Sequence, residues 1–228
     1  NGFFVGESEL SFIEFLNKIE KGESFKEIDN FAHVQNGVVV RNKLKALIEN
    51  LDLLPHPDKE VYPYKKTVVD LGYAPFFFAR GCPFMCTYCS NHALAELYER
   101  KRNYPRFRSP ETCIQEIEEV VEEYSKRINF IWILDDIFGL NNQWREEFCE
   151  KYKKRIKKKF MVQVRVEMAN DHLFSLLKDA GCFRVLFGVE SGNEKVRNEI
   201  MRRKMSNENI INAFDLCHKH GLETLALN

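Results

Sequence analysis

The sequence predicts an α/β protein built on a parallel sheet covered by helices, in the form of a partial or truncated barrel. Three observations predict it. From residue 74 onward, strand-like and helix-like segments alternate at a spacing of roughly 25–50 residues, the rhythm of consecutive β/α units. The strand-like segments Ala74–Ala79, Phe130–Leu134, Phe160–Val166, Phe183–Val189 and the stretch after Gly221 are apolar on both faces, as strands covered on both sides must be. Reactive residues follow three of these strands: a cysteine cluster after the first, Asp135-Asp136 after the second and Glu190-Ser191-Gly192 after the fourth. A parallel sheet gathers such residues at one edge, the carboxyl ends of its strands. A closed barrel of eight strands needs about 250 residues, so only part of one is expected here.

The elements follow in order. Residues 8–21 read as an amphipathic helix with Phe12, Phe15, Leu16 and Ile19 at helical spacing. Asn36-Gly37 reads as a hairpin turn feeding Val38-Val39-Val40, and Leu54-Pro55-His56-Pro57 as an extended linker. The pattern is otherwise weak between about 22 and 73. Ser109-Pro110-Glu111 is a strong helix start: a capping hydroxyl, a proline at the first helical position and an acid in the first turn. Ile114, Ile117, Val121 and Tyr124 give that helix its apolar stripe. A polar helix is expected over roughly 142–158, ending in the basic run Lys153–Lys159, where cations suit the helix dipole and face solvent. A further helix runs from about 171 to Gly181, two short ones fill 193–220, and Gly221 leads into the last strand.

Composition narrows the class. Hydrophobic residues make up 44% of the 228-residue chain and charged residues 30%, ordinary for a globular protein. Basic and acidic residues balance at 34 each, which argues against a strongly basic nucleic-acid surface. No apolar run approaches the ~20 residues that span a bilayer and no signal peptide opens the chain, so a cytoplasmic protein is expected. Both ends read as cut: Gly2–Gly6 as the last strand of something upstream, and Leu222–Asn228 as a strand with nothing after it.

Three of the seven cysteines fall in Arg80-Gly81-Cys82-Pro83-Phe84-Met85-Cys86-Thr87-Tyr88-Cys89, a C-x3-C-x2-C spacing. Thiolates are soft ligands, suited to iron–sulfur clusters, zinc or copper(I). Three thiolates on one tight loop can hold three irons of a four-iron cluster and leave the fourth open to substrate, and an open metal position marks catalysis. His92 would complete a Cys3His zinc set, which keeps a zinc-stabilised binding module open as an alternative. Cys113, Cys149, Cys182 and Cys217 stand singly and read as small buried hydrophobes.

The loop, with Tyr88 as its aromatic residue, resembles the signature of the radical S-adenosylmethionine superfamily. Phe130–Phe138, and Ala180–Arg184 leading to Gly188-Val189-Glu190-Ser191-Gly192, resemble the second- and fourth-strand segments of its cobalamin-dependent subgroup. Val5–Glu9 and Leu51–Pro55 are similar to the stretch that joins a cobalamin-binding domain to the radical barrel. The resemblance implies a partial (β/α)6 TIM-like barrel, truncated after about five strands and preceded by a remnant of a cobalamin-binding Rossmann-like domain. Residues 1–20 would be that remnant, 21–73 a connecting segment and 74–228 the incomplete core barrel.

It also implies a chemistry. Cys82, Cys86 and Cys89 would hold a [4Fe-4S] cluster that, once reduced, cleaves S-adenosylmethionine to a 5′-deoxyadenosyl radical. An electron donor such as flavodoxin or ferredoxin would supply the reduction, and the full-length protein would bind cobalamin for methyl transfer or related chemistry on a small molecule. Tyr88 would contact the adenine, Glu190 the ribose or the methionine amino group, and Arg202 the methionine carboxylate, with Asp135 as a further cofactor-binding residue. The alternative within the superfamily is an enzyme without functional cobalamin, methylthiotransferase-like or coproporphyrinogen-oxidase-like.

Overall fold

The computed structural model describes residues 2–61, 63–98 and 105–228. The chain divides into two compact units, Asn1–Glu49 with Ala93–Asn103 and Asn50–His92 with Tyr104–Asn228.

The smaller unit holds β1 (Gly2–Phe4), α1 (Glu9–Glu20), β2 (Phe31–Gln35) and β3 (Val38–Arg41). The three strands form an antiparallel sheet in the order β1-β2-β3. The Asn36-Gly37 turn has both residues at positive φ, 50° and 78°, which matches the twist of a hairpin. One side of α1 packs its aromatic residues on the sheet, with Phe12 and Phe15 edge-on to Phe4 at 5.6 and 5.5 Å. Buried Asn30 ties the unit together: its amide donates to Val5 O and Glu7 O, and its Oδ1 accepts from Ser11 Oγ and Lys45 N.

The larger unit contains α2 (Tyr64–Leu71), β4 (Tyr73–Phe76), β5 (Ala79–Arg80), β6 (Arg106–Phe107), α4 (Pro110–Tyr124), β7 (Phe130–Ile133), α5 (Asn142–Arg155), β8 (Phe160–Val164), α6 (Asp171–Asp179), β9 (Cys182–Gly188), α7 (Asn207–Lys219) and β10 (Glu223–Leu227); α3 (Ser90–Leu97) follows the cysteine loop. Five strands form one parallel sheet in the order β10-β9-β8-β7-β4. The successive β/α units therefore lay their strands side by side, as the alternation of the sequence requires. The core is aromatic and aliphatic: Phe76, Phe148, Phe160, Phe174, Phe187, Ile114 and Ile117 are essentially inaccessible. Among the described residues no helix is long and apolar enough to cross a membrane.

Most expected elements are present, with differences at three places. The first strand is split, because β4 ends at Phe76 and β5 pairs separately with β6. The backbone leaves the sheet there since the N–H groups of Phe78 and Ala79 donate to the Asp135 carboxylate instead of to a neighbouring strand. The first of the two helices expected over 193–220 is a single π-helical turn, Val196–Ile200, a form that is rare and concentrated at functional sites. Helices α2 and α3 stand where no periodicity announced them.

Candidate metal centre

Parallel strands set the position of the site. The cysteine loop lies beyond the carboxyl end of β4, Asp135 beyond β7, Arg165 beyond β8 and Glu190 beyond β9, so four segments distant in sequence share one edge of the sheet. Cys86 is buried, whereas Cys82 and Cys89 are half-buried. The Cys89 N–H donates to Cys86 O at 3.2 Å, which curls the loop, and the Asn91 amide lies 3.8 Å from Cys89 Sγ. Burial pushes the Cys82 thiol up to about 11 against a lowering by the Phe84 backbone N–H, so a metal taken up here displaces a proton. Among the described residues no three His, Cys, Asp or Glu side chains are already gathered at ligating distance.

Two arginines converge on Cys86. Arg165 Nη1 lies 3.7 Å and Arg203 Nη1 3.8 Å from its sulfur. Both guanidinium groups are buried, and the Nε of each has no acceptor. Arg165 stacks 3.8 Å over the Phe84 ring, donates to Arg203 O at 2.9 Å and pairs with Glu167 at 2.5 Å. Arg203 donates to Tyr88 Oη at 2.7 Å and to Gly188 O at 2.6 Å, with Glu190 at 3.6 Å. Thr87 fastens the loop from the other side, through its N–H to Met201 O and its hydroxyl to Ile200 O at the end of the π-helical turn. Three non-glycine residues around this edge, Glu190, Arg202 and Lys204, are at positive φ, strain of the kind that collects at functional sites.

The four residues expected to contact cofactors fall in different places. Tyr88 and Glu190 are at the centre, joined by Arg203. Arg202 is exposed and stays outside the constellation, whereas its neighbour Arg203 is buried. Asp135 is buried beneath the loop as a backbone anchor: Oδ1 accepts from Phe78 N at 2.6 Å and Ala79 N at 2.9 Å, and Oδ2 has no partner. Burial, only partly offset by those two donors, pushes its carboxyl up to about 7. Sequence reasoning missed Arg165 and Arg203. A lone cation in the apolar run Met161-Val162-Gln163-Val164-Arg165-Val166, at the carboxyl end of a strand, was a signal for the first. Cys113, Cys149, Cys182 and Cys217 are buried core residues, as expected.

The fit to an iron–sulfur cluster can be judged from the residues themselves. A cluster bound by three thiolates is anionic, and the loop brings its thiols to a buried edge carrying two guanidinium groups with spare donors. The donor set fits.

Comparison with known proteins agrees. The chain is 30% identical over 223 residues to an uncharacterized methyltransferase of Pyrococcus horikoshii, covering 96% of this chain and 46% of the relative. It is 25% identical over 231 residues to the anaerobic magnesium-protoporphyrin IX monomethyl ester cyclase of Rubrivivax gelatinosus, covering 97% of this chain and 40% of that protein. The chain thus spans less than half the length of these relatives. Its fold is similar to the cobalamin-dependent S-adenosylmethionine radical enzyme OxsB with aqua-cobalamin bound (TM-score 0.78, 21% identity, 99% of this chain and 33% of that one). It is also similar to the radical S-adenosylmethionine methyltransferase TsrM of Kitasatospora setae (TM-score 0.74, 14% identity, 99% of this chain and 45% of that one). The Radical SAM family model matches residues 76–227, from the end of β4 through β10, and the chain belongs to the radical SAM superfamily.

Proposed function

We propose that the chain carries the catalytic core of a radical S-adenosylmethionine enzyme, with Cys82, Cys86 and Cys89 as ligands of its [4Fe-4S] cluster. The observation that carries this reading is the three-cysteine loop at the carboxyl edge of the parallel sheet, with two buried guanidinium groups turned to Cys86. A [4Fe-4S] cluster held by these three thiolates would supply the one-electron reductive cleavage of S-adenosylmethionine to methionine and a 5′-deoxyadenosyl radical. The residues of the chain hold and shield the reactants. Arg203, whose Nε has no acceptor, offers one charged donor to the methionine carboxylate. Glu190, 23% exposed at the strand end, accepts from the amino group or ribose hydroxyls, and the half-exposed Tyr88 ring lies against the adenine. Holding the sulfonium in line converts an encounter into a positioned reaction.

The full-length protein uses cobalamin for methyl transfer or related radical chemistry on a small molecule in this reading, with flavodoxin or ferredoxin as the electron source. Support comes from the methyltransferase and cyclase names of its relatives and the cobalamin in the similar folds. The test is electron paramagnetic resonance of the anaerobically reconstituted, reduced protein. Its spectrum should change when S-adenosylmethionine is added, through coordination at the open iron. A spectrum that stays the same at saturating S-adenosylmethionine contradicts the reading.

A further inference from the structure

The cysteine loop is held from two strands at a single ligand. Arg165, beyond β8, and Arg203, beyond β9, each turn one Nη1 toward Cys86 Sγ, and Arg165 Nη2 also donates to Arg203 O, so the two arginines brace each other. Each also faces a carboxylate: Glu167 lies 2.5 Å from Arg165 Nη2, away from the sulfur, and Glu190 lies 3.6 Å from Arg203 Nη1, the nitrogen that also approaches Cys86. Cys86 is the most buried of the three loop thiols, and neither Cys82 nor Cys89 receives a comparable pair of donors in the described residues.

We propose that Arg165 and Arg203 form a two-sided clamp on the Cys86 thiolate that makes the cluster easier to reduce. The proposal rests on the cluster assignment above. One-electron reduction takes an electron from the external donor, moves no proton, and adds one negative charge spread over the cluster and its thiolates. Charged N–H donors at a ligand sulfur stabilise the more negative state more than the less negative one. Burial keeps water from screening them. The clamp therefore acts through Cys86 as a positioning pair, in the way outer-shell partners tune metal ligands elsewhere.

Redox titration of the full-length, cluster-loaded protein with titanium(III) citrate, followed by the resonance signal, tests this. Arg165→Gln, which keeps a long polar side chain and removes the charge, should shift the reduction equilibrium about tenfold toward the oxidised cluster, a fall of about 59 mV for one electron. A midpoint within about twofold of the unsubstituted protein, ~18 mV, overturns the proposal. Should Arg165→Gln not retain iron, Arg203→Gln is read by the same measure. A third readout needs no substitution: with 15N-arginine incorporated, the reduced cluster should show hyperfine coupling to an arginine nitrogen, and its absence overturns the clamp. Failure of the cluster assignment looks different, since iron and sulfide would then be missing from the unsubstituted protein.

Discussion

Gly188 is the residue whose size most tightly limits the site. A Cβ there would lie 2.7 Å from Glu190 Oε1 and 2.9 Å from Arg203 Nη2, although its backbone tolerates alanine. Gly188→Ala should therefore keep iron and folding while weakening S-adenosylmethionine at least about tenfold, ~1.4 kcal/mol, in equilibrium binding; unchanged affinity would remove Arg203 and Glu190 from the binding role. Asp135 is a second residue with a distinct signature. Its carboxyl, raised to about 7 by burial, holds a proton more tightly folded than unfolded. The resulting stabilisation is complete below about pH 4 and is lost as pH rises toward 7, on the order of 4 kcal/mol across that window. Asp135→Asn keeps an acceptor for Phe78 and Ala79 and should flatten this slope in urea unfolding of the metal-free protein; a slope equal to that of the unsubstituted protein would place the proton elsewhere. The three-cysteine loop was legible as a candidate metal site because its spacing alone marks it. Arg203 was not, because Arg202-Arg203-Lys204 is a run of three cations outside any periodic element. Positive φ at Arg202 and Lys204 turns the middle one inward, and no alternation in the sequence encodes that.

At the scale of elements, the helix starts behave as their capping residues dictate. Ser109 Oγ accepts from Thr112 N at 3.2 Å, with Pro110 at the first helical position, so Ser109→Ala should cost about 1 kcal/mol in denaturant unfolding. A cost near zero would mean that the proline and the packing of α4 alone hold its start. The basic end of α5 is used as its placement implied: Lys154 pairs with Glu150, Arg155 with Glu111 and Glu118, and Lys153 with Asp179, all on the surface. α6 ends at Asp179 with Gly181 at φ 98°, as its glycine announced. Short helices were less legible. α2 spans eight residues, too few for its stripe to register, and its buried Tyr64 and Val68 are fixed by packing. β2 was hidden because its five residues include two polar ones, and pairing on both sides by β1 and β3 decides it.

For the whole molecule, the order β10-β9-β8-β7-β4 turns a linear alternation into one edge where the cysteine loop, Arg165, Glu190 and Arg203 meet. β10 forms one border of the described sheet, with Leu225 partly exposed, an edge of the kind that pairs readily with other chains. The assignment of the cluster ligands is decided by iron counting. After anaerobic reconstitution the protein should hold about four irons per chain. Cys82→Ala, Cys86→Ala and Cys89→Ala should each lose the cluster, while Cys113→Ala and Cys217→Ala, in the core far from the loop in sequence, keep it. Full iron in Cys86→Ala would contradict the assignment.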